Sequence, residues 1–415
     1  MSDTASLAAR RRLSAWSPLA LPTFRAVWIA SLTANIGIWL GNVATAWLMT
    51  ELKPTPVMVT LVQTAASLPV FLFALPAGAI GDLVDRRRQL VVLQVVSAVL
   101  SGLLGLSTWF GWTTPWVILA ASFLFGTTLA FTMPVFQAIV PDLVPRSELA
   151  PAVSLNSIGI NVARVIGPAI GGFLILGCGA AMPFFVNTLF YLVVIALLLH
   201  SLPRTEAAGA GERILASVVN GVRHTLGDGE VRATLVRSAG YAFCASNFFA
   251  MLPLIAKARI GGGPGIYGLL LGCLGFGGIV SVVFLPRLRA VYLPDRIARA
   301  GSLASAALLG LVALSTTLWL AVPVLLVAGF AWVAVVATVN VAAQTTLASW
   351  VRARGLSIFM IVFNGSMAIG SATWGVVAEH IGIAGAIGAS GGVLLLFDAA
   401  TQRWRLPGDD RHRPG

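Results

Sequence analysis

Residues 78–88 read Gly78-Ala79-Ile80-Gly81-Asp82-Leu83-Val84-Asp85-Arg86-Arg87-Arg88. Five charges fall within the seven residues 82–88, and glycines precede them. The apolar run 57–80 leads into this knot and the apolar run 89–110 leaves it. Each run supplies the ~20 residues that a helix needs to cross a bilayer core. A charged turn between two such runs belongs at a membrane surface, and the rest of the chain repeats the pattern.

Of 415 residues, 58% are apolar, roughly 240 residues and enough for about twelve crossings. Charged residues make up 10%, against ~25% in a typical soluble domain. Mean hydropathy is +0.90. These values exclude a soluble globule, a disordered chain and a disulfide-stapled secreted domain. Twelve runs follow: 26–49, 57–80, 89–110, 115–140, 153–176, 180–202, 233–256, 266–286, 298–319, 321–345, 356–378 and 381–400. In lipid each backbone polar group must be satisfied within its own segment, so the runs are helices. The ~10-residue alternating strands of a membrane barrel are absent. The fold class is therefore an all-α polytopic membrane protein.

The net charge of +12 would suit nucleic acid if it formed one patch. It does not; the cations sit in the gaps between runs, and no nucleic-acid partner is expected. With the N-terminus inside, 23 of the 27 Lys and Arg fall on the inner side. Only Lys53, Lys257 and Arg259 fall outside, and Arg164 lies within a span. Such a bias sets orientation, with both termini cytoplasmic. Residues 13–24 make a poor signal-peptide core, so 1–25 read as a cytoplasmic lead-in to an uncleaved span.

The expected organisation is 26–202 as one six-helix half, 203–232 as a cytoplasmic central loop, 233–400 as the second half and 401–415 as a tail. Residues 212–226 show helical spacing of apolar positions and read as an amphipathic helix on the membrane surface. A shift of 203 residues places Asn161 on Asn364, Gly167 on Gly370, Ala169 on Ala372 and Gly172 on Gly375. The fifth and eleventh runs thus share N-x(5)-G-x-A-x(2)-G, which argues for two related halves.

The knot at 78–88 resembles the loop 2–3 signature of the major facilitator superfamily, G-x-x-x-D-R-x-G-R-R. Gly78, Asp82, Arg86 and Arg87 match, whereas Leu83 replaces an Arg and Asp85 a Gly. That family builds twelve helices in two six-helix halves from nested repeats. The resemblance implies a gate made by Gly78, Asp82, Asp85, Arg86 and Arg87, with Asp82 facing the start of the eleventh span. The fifth run contains Asn161-Val-Ala-Arg164-Val-Ile-Gly167-Pro168-Ala-Ile-Gly171-Gly172. Its G-P-x-x-G-G core resembles the exporter signature of the superfamily and implies a hinge at Gly167, Pro168, Gly171 and Gly172. Packing of small residues alone is the competing explanation. Together with Trp350-Val-Arg352-Ala-Arg354-Gly355 and Gly370-Ser-Ala-Thr-Trp-Gly375, it is similar to the branch of enterobactin exporters and macrolide efflux proteins, the transmembrane secretion effectors. The resemblance runs from about residue 20 to 400. It implies alternating access, a small-molecule substrate, an inner-membrane location and a proton co-substrate. The fourth-span Arg usual in drug–proton antiporters is missing, since 115–140 carries no charge.

Arg164 sits near mid-span, where insertion costs roughly 2.5–3.5 kcal/mol. It reads either as a contact for an anionic or oxygen-rich substrate or a titrating acid, or as a structural Arg tied to neighbouring helices. In the superfamily the first, fourth, seventh and tenth helices line the path. That favours Asn35, Asn42, Gln137, Asn247, Asn340 and Gln344 as cavity residues, with Asn161 beside Arg164, while Gln63, Asn156 and Asn364 could line the same cavity from other helices. Trp39, Phe131 and Phe248 lie on the same helices, and aromatics with a few amides suit a bulky, partly apolar ligand. Each amide reads equally as glue between helices. The titratable candidates Glu51, Glu379, Asp398, His200 and His380 lie near span ends, where solvated positions are expected.

Cys178, Cys244 and Cys273 lie in or beside apolar runs without metal-ligand spacing. No metal, cofactor or Walker A segment is expected, and no clustered catalytic set supports an enzyme. The chain reads as a monomeric secondary exporter of a siderophore, macrolide or drug-like compound. An importer on the same fold, or a transporter-derived sensor that moves nothing, remains open.

Overall fold

The structure is a computed structural model that describes residues 16–202, 229–346, 352–404 and 406. Among these residues eleven segments are long and apolar enough to cross a bilayer. The last, Ser357–Thr401, turns at Gly382 and makes two crossings, which gives twelve. The helices are α1 Pro22–Leu52, α2 Pro56–Leu83, α3 Arg86–Trp109, α4 Pro115–Ile139, α5 Leu149–Cys178 and α6 Met182–Ser201. The second set is α7 Gly229–Arg259, α8 Pro264–Val291, α9 Pro294–Leu314, α10 Leu318–Thr346, α11 at 352–381 and α12 at 383–401. The expected amphipathic helix at 212–226 lies outside the described residues.

Local chemistry sets the ends. Pro22, Pro56, Pro115, Pro264 and Pro294 each open a helix, where the missing N–H costs nothing and φ is already helical. Asp85 caps α3 by accepting from the Arg88 backbone N–H at 2.6 Å. Gly179 ends α5 at φ +87° and Gly382 ends α11 at φ +78°. Both turns need the left-handed region, which glycine enters without a Cβ penalty. These two glycines are 203 residues apart, the shift that aligns the two halves in sequence.

Several expected boundaries move. Helix α3 begins at Arg86 rather than 89, α5 at Leu149 rather than 153 and α9 at Pro294 rather than 298. The charged knot is therefore mostly helical, with only Val84 and Asp85 between α2 and α3. Arginine is a good helix former, and the Asp85 cap starts the helix before the apolar run does. Helix α7 is also longer than 233–256 and uneven. It breaks after Ala245 and at Met251, and closes in a π turn over Ile255–Arg259.

The start of α1 and the end of α12 lie on one face, here the basic face; the opposite face is distal. Trp109, Trp112, Trp116 and Trp319 are exposed at the distal ends of α3, α4 and α10. They form the aromatic belt expected at a lipid–water boundary. Large apolar side chains such as Phe173, Val283 and Leu396 are exposed along the flanks, where lipid replaces water. Helix α2 packs along α11, and α5 along α8, to join the halves.

Candidate functional site

The repeated glycines define the junction. A Cβ on Gly167 would lie 2.6 Å from Trp39 Cβ and 3.0 Å from the Ile36 carbonyl, both on α1 of the same half. Gly171 also faces α1, at Leu40 and Val43. Gly172 faces the other half: its Cβ would lie 2.6 Å from the Pro264 carbonyl and 3.1 Å from Gly268 Cα on α8. The second half does the same. Gly370 abuts Phe243 of α7 within its half, and Gly375 abuts Val57 and Thr60 of α2 across the junction. One glycine of each pair closes a half and the other brings the halves together, by the small-residue packing that membrane helices use. Helix α5 runs unbroken through Pro168.

The halves are tied on the distal side. Lys257 Nζ donates to the Thr50 carbonyl at 3.0 Å and lies 5.9 Å from the Trp47 ring. Trp47 stacks on Tyr267 at 6.2 Å, and its indole N–H donates to Glu51 at 2.6 Å. Deeper, Thr64 Oγ1 donates to the Ala368 carbonyl at 3.0 Å. The ties described between the halves thus lie at the distal face and at mid-depth.

A cavity of about 380 Å³ lies inside this closure, within the 300–1,000 Å³ range of small-molecule sites. It is lined by Asn35 and Asn42 of α1, Gln63 of α2, Gln137 of α4, Asn156 of α5 and Asn364 of α11. Gln94, Ser97, Ser122, Thr128, Asn187 and Tyr191 add to its polar wall. None of the described lining residues is Asp, Glu, His, Lys or Arg. Asn35 is itself anchored, donating to the Ser31 carbonyl at 2.7 Å.

Part of the wall was not legible in the sequence. Gln94, Ser97, Asn187 and Tyr191 sit on α3 and α6, which the resemblance does not place on the path. A carboxamide in the middle of an apolar run was the available signal, since burying one without partners is unfavourable.

Other expected cavity residues stand elsewhere. Asn247 is 1% exposed at the break in α7 and outside the cavity lining. Gln344 donates to Asn340 at 2.6 Å on α10, near the basic face. Asn161 donates to the Ser157 carbonyl at 2.8 Å. Arg164 also stays off the lining; its guanidinium lies 5.6 Å from the centre of the Trp39 ring, and its Nε has no partner among the described residues. Of the aromatics, Trp39 holds Arg164, Phe131 packs on Phe73 at 6.0 Å and Phe248 is buried in the core. Phe125 and Phe136 line the cavity instead. These differences have one cause: helical periodicity gives a residue's face only relative to its own helix, and the neighbours decide which face meets the cavity.

Of the gating set, Arg86 pairs with Asp142 at 2.7 Å and Arg87 donates to the Leu199 carbonyl at 2.6 Å, both within the first half. Gly78 has open space around it, and the Asp82 side chain lies outside the described residues. Asp398 departs from the expected solvated position. It is 5% exposed and pairs with Arg299 at 3.4 Å, next to the pair of the buried Arg237 with the half-buried Asp295. Arg237 also donates to the Trp404 carbonyl at 3.2 Å, which fastens the chain end to α7 and α9.

The family profile described as transmembrane secretion effector matches residues 13–413. The chain belongs to this family, within the major facilitator superfamily. It is similar to the staphyloferrin A transporter of Staphylococcus aureus, 25% identical over 84% of this chain and 87% of that one. The multidrug efflux pump Tap of Mycolicibacterium fortuitum is 29% identical over 47% of this chain and 50% of its own. Macrolide efflux protein A of Streptococcus pyogenes is 20% identical over 36% and 37%. The fold matches that of a POT family transporter bound to 5-aminolevulinic acid, at TM-score 0.76, 13% identity and 92% and 96% coverage. It also matches a bacterial homologue of the lysosomal transporter Spinster in an inward-facing, occupied conformation, at TM-score 0.72, 14% identity and 93% and 97% coverage. The family is one of membrane transporters, not enzymes, and implies a small-molecule substrate and membrane embedding.

Proposed function

We propose that the chain exports a small, bulky organic compound across a bacterial inner membrane by alternating access, with a proton as co-substrate and cytoplasmic termini. The observation that carries this is the amide-lined cavity beneath a distal closure, on a scaffold whose cations crowd the opposite face. In this reading the structure is the cytoplasm-open state. The distal ties at Lys257 and Trp47 then break during export, and Asp82, Arg86 and Arg87 engage the second half when the basic face closes. The siderophore, multidrug and macrolide transporters among the relatives support this substrate range. Because no carboxylate or histidine lines the cavity among the described residues, the proton is carried away from the substrate.

The test is accumulation in cells that lack their own efflux pumps. Cells expressing the protein are loaded with dyes, macrolides and siderophores, with and without a protonophore. Lowered accumulation that the protonophore abolishes supports proton-driven export. Lowered accumulation that survives the protonophore removes the proton. Raised accumulation reverses the direction.

A further inference from the structure

The cavity wall inside the first half holds three buried polar atoms without a hydrogen-bond partner among the described residues. Gln94 of α3, Ser122 of α4 and Asn187 of α6 are 4%, 3% and 2% exposed, and all three line the cavity. Gln94 Oε1, Ser122 Oγ and Asn187 Oδ1 make no hydrogen bond among the described residues. Their neighbours do. Ser97 Oγ donates to the Leu93 carbonyl at 2.9 Å and to Thr128 Oγ1 at 3.1 Å, and Ser101 Oγ donates to the Phe184 carbonyl at 2.9 Å. Asn187 and Ser97 hydrogen-bond the Tyr191 hydroxyl, and Asn187 Oδ1 stays unpaired. Buried acceptors left unmade are unfavourable, so three on one wall point to a ligand that supplies donors.

The position of Asn187 is enforced. Its carboxamide sits in a notch on α1 made by Gly37 and Gly41. A Cβ on Gly37 would collide with Asn187 Oδ1, and one on Gly41 would lie 3.2 Å from Nδ2. Two side chains are absent from α1 where the carboxamide enters, which fixes the group at the cavity edge.

The chemistry of the wall selects its ligand. Two carboxamide oxygens accept, and one hydroxyl can do either. No described lining residue carries a positive charge to neutralise an anion or a negative one to neutralise a cation. A carboxylate could draw on the carboxamide N–H and Ser122 O–H donors but would leave these free oxygens unmade and bury a charge that no described lining residue neutralises, which acts against it. We propose that Gln94, Ser122 and Asn187 form a substrate subsite for a neutral, donor-rich group, the hydroxyls of a polyol or sugar ring, and that it excludes carboxylates. The assignment rests on the transport reading above and specifies the substrate face that enters this wall.

The test is equilibrium binding to the full chain, purified into lipid nanodiscs. The probes are 4-nitrophenyl β-glucoside and 4-nitrophenyl β-glucuronide, which differ only in a hydroxymethyl against a carboxylate. The glucoside is expected to bind at least tenfold more tightly. Gln94→Leu and Asn187→Leu should each weaken the glucoside tenfold or more and narrow the difference between probes. Ser154→Ala, exposed on α5, should change neither. If a leucine variant fails to elute as a folded monomer, Ser122→Ala makes the smaller change, with a loss of about threefold expected. Equal or tighter binding of the glucuronide overturns the proposal. So does unchanged glucoside binding in folded Gln94→Leu and Ser122→Ala, or binding of neither probe. Those results leave export itself to the accumulation assay, which fails or succeeds on its own.

Discussion

Substituting Gly172 or Gly268 by Ala tests how the halves are held at the distal side. A Cβ at 172 falls 2.6 Å from the Pro264 carbonyl oxygen and 3.1 Å from Gly268 Cα. A Cβ at 268 falls 2.5 Å from the Pro168 carbonyl oxygen and 3.1 Å from Gly172 Cα. Both contacts are about 0.7 Å or more short of the ~3.3 Å at which carbon meets a carbonyl oxygen. The obstructing atoms are backbone, so no side chain can rotate away and α5 must move off α8. Overpacking of this kind costs about 1–3 kcal/mol. Placed on the closed state alone, that shifts the closed-to-open ratio roughly 5- to 150-fold. The assay is a spin-label distance across the distal face, between Trp112→Cys and Trp319→Cys, in a background without Cys178, Cys244 and Cys273. Both sites are highly exposed and lie in opposite halves. Gly172→Ala and Gly268→Ala should each add a longer-distance population. Gly177→Ala, whose Cβ meets nothing within 4 Å, should not. Gly167→Ala should lower the melting temperature instead, because it wedges α5 from α1 inside one half. Distances in the two seam variants that match wild type would refute the seam argument.

Four further outcomes are expected. Lys257→Met loses an exposed lysine's bond to the Thr50 carbonyl, worth about 0.5–1.5 kcal/mol, and the same labels should report more distal opening; an unchanged distribution would show that Lys257 is not a tie. Arg86→Ala breaks an exposed pair worth about 0–1 kcal/mol, so the melting temperature should move by only a few degrees while export falls; a large drop in melting temperature would make Arg86 a fold residue rather than a gate. Arg237→Leu leaves the half-buried Asp295 carboxylate without its cation, holding only the Leu406 backbone N–H described beside it, and should lower the melting temperature, which Arg237→Leu with Asp295→Leu restores. Arg164→Met removes a mid-span charge that costs about 2.5–3.5 kcal/mol against a cation–π gain of about 0.5–2 kcal/mol, so thermal stability should hold or rise; a clear fall would point to a partner for Arg164 beyond Trp39.

The sequence carried the architecture because a bilayer reduces the choice to length and hydropathy. Residues 57–80 and 89–110 could only be two crossings with a charged turn between them. The same reasoning set the helix count and the 203-residue repeat, whose glycines meet equivalent neighbours in both halves. The ends were less legible. Arg86–Arg88 looked like loop because they are charged, yet the Asp85 cap draws them into α3.

What only the tertiary structure decided was which face of each helix meets which neighbour. Gly171 and Gly172 are adjacent in sequence, and one closes a half while the other joins the two. Asn187 and Asn247 are both buried amides in apolar runs; the first edges the cavity and the second is sealed in the core. In water a polar residue would mark a helix's outward side. In a membrane bundle the outward side is apolar too, so hydropathy leaves the helix's rotation undetermined. Packing of small residues against specific partners fixes that rotation, and with it the cavity wall.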